Sequence, residues 1–256
     1  FTADGIDLGS FLTGTTWNPH QEDASGMPTV GALPMIAGSF SVTLLSTLFA
    51  LPIAFGSAIF VVEVAPRFGR RVFQPLLELL VGIPSVVYGL VGMLVLVPAI
   101  RKTFHLPDGA SLLAAILVLA VMILPSIIKV SVTALDAVPK EYEDASLALG
   151  ATPIETYFRV SVPAAKSGIA AAVVLGVGRA IGEAMAVMMV SGNVSNMPSS
   201  IFESVRFLTT AVASEMAYSS GLQCQALFSI ALVLYLFIML INAALNFFLK
   251  RNKEGD

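Results

Sequence analysis

The chain has 256 residues, of which 56% are hydrophobic and only 12% charged. A soluble domain carries roughly 25% charged residues, so this composition excludes an ordinary water-soluble globule and points to a membrane protein. Mean hydropathy is +0.86, and the net charge of −3 says little, because in membrane proteins the placement of Lys and Arg matters more than their sum.

A single cysteine, Cys224, excludes an intrachain disulfide framework and a cysteine-based metal site. His20 and His105 lie far apart, and no metal constellation is visible. The first residue is Phe rather than Met and no signal peptide is visible at the start, so the natural N-terminus is expected upstream.

Residues 1–30 contain no Lys or Arg and carry Asp4, Asp7, Glu22 and Asp23, with turn formers at Asn18-Pro19 and Ser25-Gly26. They read as a polar, mostly irregular segment outside the membrane. Trp17 is either an interfacial anchor or a plain loop residue. Five apolar spans follow, at 36–62, 75–99, 111–135, 169–191 and 225–249. Each is near the roughly 20 residues needed to cross a bilayer. Pro52, Pro84 and Pro125 fall inside spans, where proline marks kinks or freed backbone carbonyls.

Basic residues alternate in density. Arg67, Arg70 and Arg71 follow the first span, and Arg101 and Lys102 follow the second. Lys129, Lys140, Arg159 and Lys166 surround the third connection, Arg206 stands in the next loop, and Lys250, Arg251 and Lys253 form the tail. Alternating sides gives ten on one face and three on the other. The positive-inside rule puts the ten in the cytoplasm, with the N-terminal segment outside and the C-terminus inside. Five spans with an outside start imply a sixth span upstream. The expected division is an extracytoplasmic segment at 1–35, a transmembrane domain at 36–250 and a cytoplasmic tail at 251–256.

The connection at 136–166 is long and cytoplasmic in this scheme. Pro139 suits a first helical position, with good helix formers from Lys140 to Leu149 behind it. Tyr142, Ala145 and Leu149 recur at helical spacing and share a face. Gly150 fits a C-terminal stop. Thr152-Pro153-Ile154-Glu155 has capping-box spacing, so a second short helix begins there, and Pro163 is expected to end it. The result is a helix-turn-helix on the cytoplasmic surface, either solvated or docked to a partner.

The fourth span, Ile169 to Ser191, read as one helix is about 34 Å long. Arg179 stands near its middle, and Glu183 is one turn later on the same face. Charges at that depth normally face protein or a watery path. Two readings follow: an i,i+4 ion pair that helps the helix pack, or an Arg179 that lines a route for an anion. Arginine stays charged and offers a planar fork that fits phosphate oxygens. Glu183 then neutralises Arg179 when the path is empty, competes with the ligand to keep binding weak, or accepts a hydrogen bond from a protonated oxygen of hydrogen phosphate. Glu78, Ser85 and Tyr88 in span two are weaker path candidates, with interfacial or backbone-bonding roles as the alternatives. Met185, Met188 and Met189 read as packing residues. Gly178 and Gly182 have the small-xxx-small spacing that lets membrane helices approach closely.

Asp144-Ala145-Ser146, then Gly150 after three residues, and Pro163 thirteen residues further on, resemble the EAA loop of ABC-transporter permeases of the binding-protein-dependent (type I, MetI-like) kind. Asp144 stands where the usual Glu does, with Glu143 adjacent, and Val162 replaces Leu before Pro163. Glu78-Leu-Leu-Val-Gly-Ile-Pro-Ser-Val-Val-Tyr-Gly89 and Arg179-Ala-Ile-Gly-Glu-Ala-Met-Ala186 look like the phosphate-specific permeases, and the continuation through Gly192-Asn193 resembles the PstC-type more than the PstA-type subunit.

The resemblance implies an all-α, polytopic transmembrane helix bundle of six spans, five of them present here. It implies an inner-membrane subunit forming half of a phosphate translocation path, with Arg179 and Glu183 in the path. Glu143, Asp144, Ala145, Gly150, Ala151 and Pro163 would couple to a cytoplasmic ATPase. The implied partners are a PstA-like second permease, two PstB-like ATP-binding subunits, a PstS-like external phosphate-binding protein and membrane lipid, with no nucleic acid.

No G-x-x-x-x-G-K-[ST] occurs, so the chain lacks a P-loop for ATP hydrolysis. It needs no cofactor of its own, and ATP belongs to a partner. Gly176-Val-Gly178 with Gly182 misses the dinucleotide fingerprint by one residue and lies inside a span. The rival readings are a permease for sulfate or molybdate, the PstA-type half, a secondary anion transporter and, most remotely, an intramembrane enzyme.

Overall fold

The computed structural model describes residues 7–22, 28–64 and 66–251. It opens with α1 (Leu8–Thr13), whose start is closed by Asp7: the carboxylate accepts from the Ser10 N–H at 2.9 Å. That bond satisfies a donor that a helix start leaves free and holds the Asp7 carboxyl below its usual value. β1 (Trp17–Glu22) then pairs antiparallel with β2 (Pro28–Val30), Trp17 opposite Val30.

Within the segment expected to be irregular, the described residues therefore form a short helix and two paired strands, and Asn18-Pro19 lies in a strand rather than a turn. The reason is tertiary: Phe11 is fully buried and Trp17 is partly buried against the same apolar cluster. Trp17 thus packs on protein. Ser25-Gly26 and the tail beyond Arg251 lie outside the described residues.

α2 (Leu33–Ile59) keeps Pro52 in its interior and continues through a π-helical turn at Phe60–Val64. α3 (Pro66–Phe68) and a second π turn lead to α4 (Gln74–Gly82). Proline pushes the residue before it out of the helical region, and the second span breaks at Ile83-Pro84. It resumes as α5 (Ser85–Val91), a π turn and α6 (Val97–Phe104). α7 (Leu112–Asp136) carries Pro125 without interruption.

The long connection forms α8 (Lys140–Ala148), α9 (Pro153–Thr156), a π turn and α10 (Val162–Ala164). Pro139 precedes the first helical residue instead of occupying it. Pro163 sits in the first turn of α10 and does not terminate the helix, which stops at Ala165. α11 (Lys166–Gly182), α12 (Met185–Val190), α13 (Leu208–Glu215) and α14 (Gly221–Arg251) complete the chain.

Among the described residues, four helices are long and apolar enough to cross a membrane: Leu33–Glu63, Ser85–Phe104, Leu112–Asp136 and Gly221–Ala244. A fifth crossing is available to the pair Pro153–Ala164 and Lys166–Gly182, which is bent by 65°. The fourth expected span is not one continuous helix. It ends at Gly182, and α12 restarts after Ala184, whose ψ is −51° at φ −121°.

The chain divides into two compact units. The first comprises Phe1–Ser46, Ile83–Ala120 and Ala180–Leu240. Its core gathers Phe11, Met35, Leu208, Leu227 and Ile230, all fully buried. There α5 lies close against α12 because Gly89 has no side chain: a Cβ would fall 2.8 Å from Ala186 Cα.

The second unit comprises Thr47–Gly82, Val121–Arg179 and Ile241–Asp256. Ala50, Ala54 and Ala58, four residues apart on α2, are fully buried. α11 meets α7 through Gly168 and Gly176, where a Cβ would stand 2.4 Å from Ala134 Cβ and 2.5 Å from Ile127 Cδ1. With the fully buried Ala172 between them, these residues form the small-residue face that permits close helix packing. Gly178 and Gly182, expected in that role, have no atom within 4 Å of where a Cβ would be.

Candidate functional site

In the second unit, α11 carries Arg179 in its last turn. The guanidinium is half-buried, and its Nη1 donates to Ser126 Oγ of α7 at 2.7 Å. Within its own unit Arg179 has no carboxylate partner among the described residues. A neutral hydroxyl leaves the positive charge of the guanidinium uncompensated. The arrangement thus holds a cation in place with spare donors, since a guanidinium has five N–H groups.

Glu78 of α4 faces the same helix. Its Oε1 lies 3.4 Å from Lys129 Nζ, and both side chains are about half exposed. The second unit therefore brings Glu78, Ser126, Lys129 and Arg179 onto α7. The sequence places Lys129 among the cytoplasmic basic residues and gives Glu78 no partner. The available signal was Ser126-Ile-Ile-Lys129, whose i,i+3 spacing puts both polar groups on one helix face.

Glu183 belongs to the first unit and lies just beyond the end of α11. Its Oε1 accepts from the Ala186 N–H at 2.9 Å, closing the start of α12. Its carbonyl accepts from Thr209 Oγ1 at 2.9 Å. Glu183, Ser39, Thr43, Thr209 and Phe207 line a cavity of about 10 Å³, roughly what one water needs. Ser39 Oγ accepts from the Leu208 N–H at 3.0 Å, tying α2 to the start of α13.

Ser85 and Tyr88, the other residues of span two singled out in the sequence, stand half-buried in α5 of the same unit. A buried charge of this unit, Arg206, donates through Nη2 to Ser214 Oγ at 3.0 Å and to Glu215 Oε1. The sequence signalled it only as a loop cation.

The connection at 136–166 forms largely as its local sequence dictates. Gly150 has φ +90° directly after α8. Thr152 and Glu155 make a reciprocal capping box, with the Thr152 N–H donating to Glu155 Oε2 at 3.0 Å and the Glu155 N–H to Thr152 Oγ1 at 3.3 Å. The two arms are clasped by Ser146 Oγ and Thr156 Oγ1 at 2.9 Å and by Ser161 Oγ donating to Glu143 Oε1 at 2.7 Å.

Glu143 is thereby turned inward as an acceptor within the loop, while Asp144, Ala145 and Gly150 are exposed and Ala151 is half-buried. Leu149 is 91% and Ile154 72% exposed, with Tyr142 and Phe158 also in the open. Clustered exposed apolar side chains on a clasped loop are what a protein partner covers.

Residues 50–254 match the family described as binding-protein-dependent transport system inner membrane component. The chain belongs to that family. A probable ABC transporter permease protein, YqgH of Bacillus subtilis (strain 168), is 46% identical over 248 residues, covering 94% of this chain and 79% of that protein. The phosphate transport system permease protein PstC of Pasteurella multocida (strain Pm70) is 34% identical over 96% of this chain and 82% of its own length. The protein of that name from Haemophilus influenzae is 34% identical over 91% and 78%.

Among solved structures, a chain of the inward-facing MetNI methionine ABC transporter superposes with a TM-score of 0.64 at 19% identity, covering 86% of this chain and 94% of that one; this is a likeness of fold. As a member of the binding-protein-dependent family, the chain is a multi-pass inner-membrane permease and a transport subunit. The expected all-helical ABC permease fold stands.

Proposed function

We propose that this permease is the PstC-type half of the transmembrane path of an ATP-driven inorganic phosphate importer. The observation that carries the reading is the Arg179 guanidinium, held by a neutral hydroxyl with its charge and spare donors left over. The relatives named as phosphate permeases support the choice of anion.

In this reading the N-terminal segment 1–35 lies outside, residues 36–250 form the transmembrane domain and the tail 251–256 is cytoplasmic. A PstS-like binding protein delivers phosphate to the outer loops, a PstA-like chain completes the path opposite Arg179, and two PstB-like ATPases dock on the connection 136–166. Asp144, Ala145, Gly150 and Ala151 present that connection to the ATPase, with Glu143 and Pro163 shaping it. The subunit performs no bond chemistry: Arg179 exchanges its contacts for phosphate oxygens as the two halves rock. Glu183, and less centrally Glu78, Ser85 and Tyr88, are the further candidates for contact with the anion.

The test is uptake of labelled phosphate, sulfate and molybdate into vesicles holding the full complex. ATP-dependent accumulation of phosphate in preference to the other two is expected. Preference for sulfate or molybdate would reassign the cargo, and uptake that is insensitive to vanadate would replace the ATP-driven reading with a secondary transporter.

A further inference from the structure

Glu78 is a path candidate by sequence, but its partner Lys129 has no role in the path as described so far. α7 places Ser126 and Lys129 three residues apart, hence on one face and about 4.5 Å apart along the axis. Ser126 receives Arg179 at 2.7 Å, and Lys129 reaches Glu78 at 3.4 Å. The same face of α7 therefore carries two cationic contacts in succession. Lys129 lies nearer the Asp136 end of the helix, the cytoplasmic end in the orientation proposed above.

The two contacts differ in kind. Arg179 is half-buried and bound to a neutral group, whereas Lys129 and Glu78 are 48% and 55% exposed and share one long contact. A single open contact of that length is weak and easily exchanged. Two cations against one carboxylate leave this cluster with net positive charge, which favours an anion.

We propose that Lys129 is a second cationic station for the transported anion, one helical turn beyond Arg179 toward the cytoplasm. Glu78 is the counter-ion that holds Lys129 when the station is empty. This inference rests on the phosphate-permease reading. A phosphate leaving Arg179 displaces the Glu78 carboxylate from the Lys129 ammonium, and return of Glu78 releases it inward. No bond is made or broken beyond these ionic contacts. Several weak sites in series are what passage requires, because a single tight site traps its cargo. A compact ammonium with three donors suits brief contact, as the bidentate guanidinium suits capture.

The experiment measures phosphate uptake into vesicles holding the complete complex with Lys129→Gln, Lys129→Arg, Glu78→Gln and the double variant Lys129→Gln/Glu78→Gln. Lys129→Gln is expected to lower maximal uptake about tenfold or more, with subunit assembly and binding-protein-stimulated ATP hydrolysis retained. Lys129→Arg keeps the charge and should retain more uptake than Lys129→Gln, with release slowed by the bidentate contact. Glu78→Gln should slow release, seen as labelled phosphate retained on the complex in a single turnover.

The double variant decides between a station and a structural bridge. It removes the pair without leaving a lone charge, so a bridge that only packs helices would be dispensable and uptake would return. The station predicts that the double variant fails like Lys129→Gln. Wild-type uptake in Lys129→Gln, or its recovery in the double variant, overturns the proposal. Wild-type vesicles that move no phosphate overturn the underlying reading along with it, so the two failures are distinct.

Discussion

At the scale of single residues, the site rests on a cation whose partner is neutral. Arg179→Gln keeps hydrogen-bonding capacity toward Ser126 but removes the charge, so assembly should persist while phosphate uptake is lost; uptake assays on purified complex check both. Normal uptake would reduce Arg179 to a packing residue. Glu183 calls for a paired test, because its carboxylate also closes α12 through the Ala186 N–H. Glu183→Gln retains an acceptor for that bond, whereas Glu183→Ala removes it at a cost of about 0.5–2 kcal/mol, the usual range for a lost cap. If Glu183 accepts a proton-bearing phosphate oxygen, Glu183→Gln lowers phosphate-over-sulfate discrimination in the reconstituted transporter while thermal stability stays near wild type. Undiminished discrimination counts against that role.

At the scale of elements, two glycine contexts make opposite predictions. Gly150 has φ +90° and nothing within 4 Å of a would-be Cβ. A side chain there meets no clash, but the backbone region disfavours it by about 1–3 kcal/mol. Gly150→Val should therefore re-aim the turn that presents Leu149 and Ile154, leaving membrane insertion intact while uncoupling ATP hydrolysis from uptake. Unchanged transport would argue against the coupling assignment. Gly176 has ordinary backbone but no room, with Ile127 Cδ1 2.5 Å from its would-be Cβ. Gly176→Leu should destabilise the α7–α11 contact by about 1–3 kcal/mol, the usual cost of overpacking, read as a lower melting temperature in detergent. Gly178→Ala, which faces open space, should melt like wild type.

At the scale of the whole molecule, much apolar surface is exposed, including Phe228, Leu232, Leu236 and Leu240 on α14 and Phe40, Leu44 and Leu48 on α2. A water-soluble fold would bury such side chains; in a membrane subunit they meet lipid or a companion chain. The connection at 136–166 adds exposed apolar side chains of its own. Purification in mild detergent should recover the chain with a second permease and an ATP-binding subunit, and vanadate should stop uptake. Recovery as a lone, vanadate-insensitive transporter would contradict the subunit reading.

The amino-acid order alone determined the membrane class, the five apolar stretches, the capped turn around Gly150 and Thr152, and Arg179 as the residue to watch. These features depend on composition, on periodicity and on bonds between residues a few positions apart, so they are legible locally. The tertiary structure decided who meets whom. Ser126 is 53 positions from Arg179, and Glu78 is 51 from Lys129. Glu183 leaves the helix where Thr209, 26 positions away, takes its carbonyl and Ala186 takes its carboxylate. The N-terminal segment folds because Phe11 finds Leu208, Leu227 and Ile230. Helical spacing assumes that a helix continues, and only packing between distant segments reveals where it stops and which charge finds a partner.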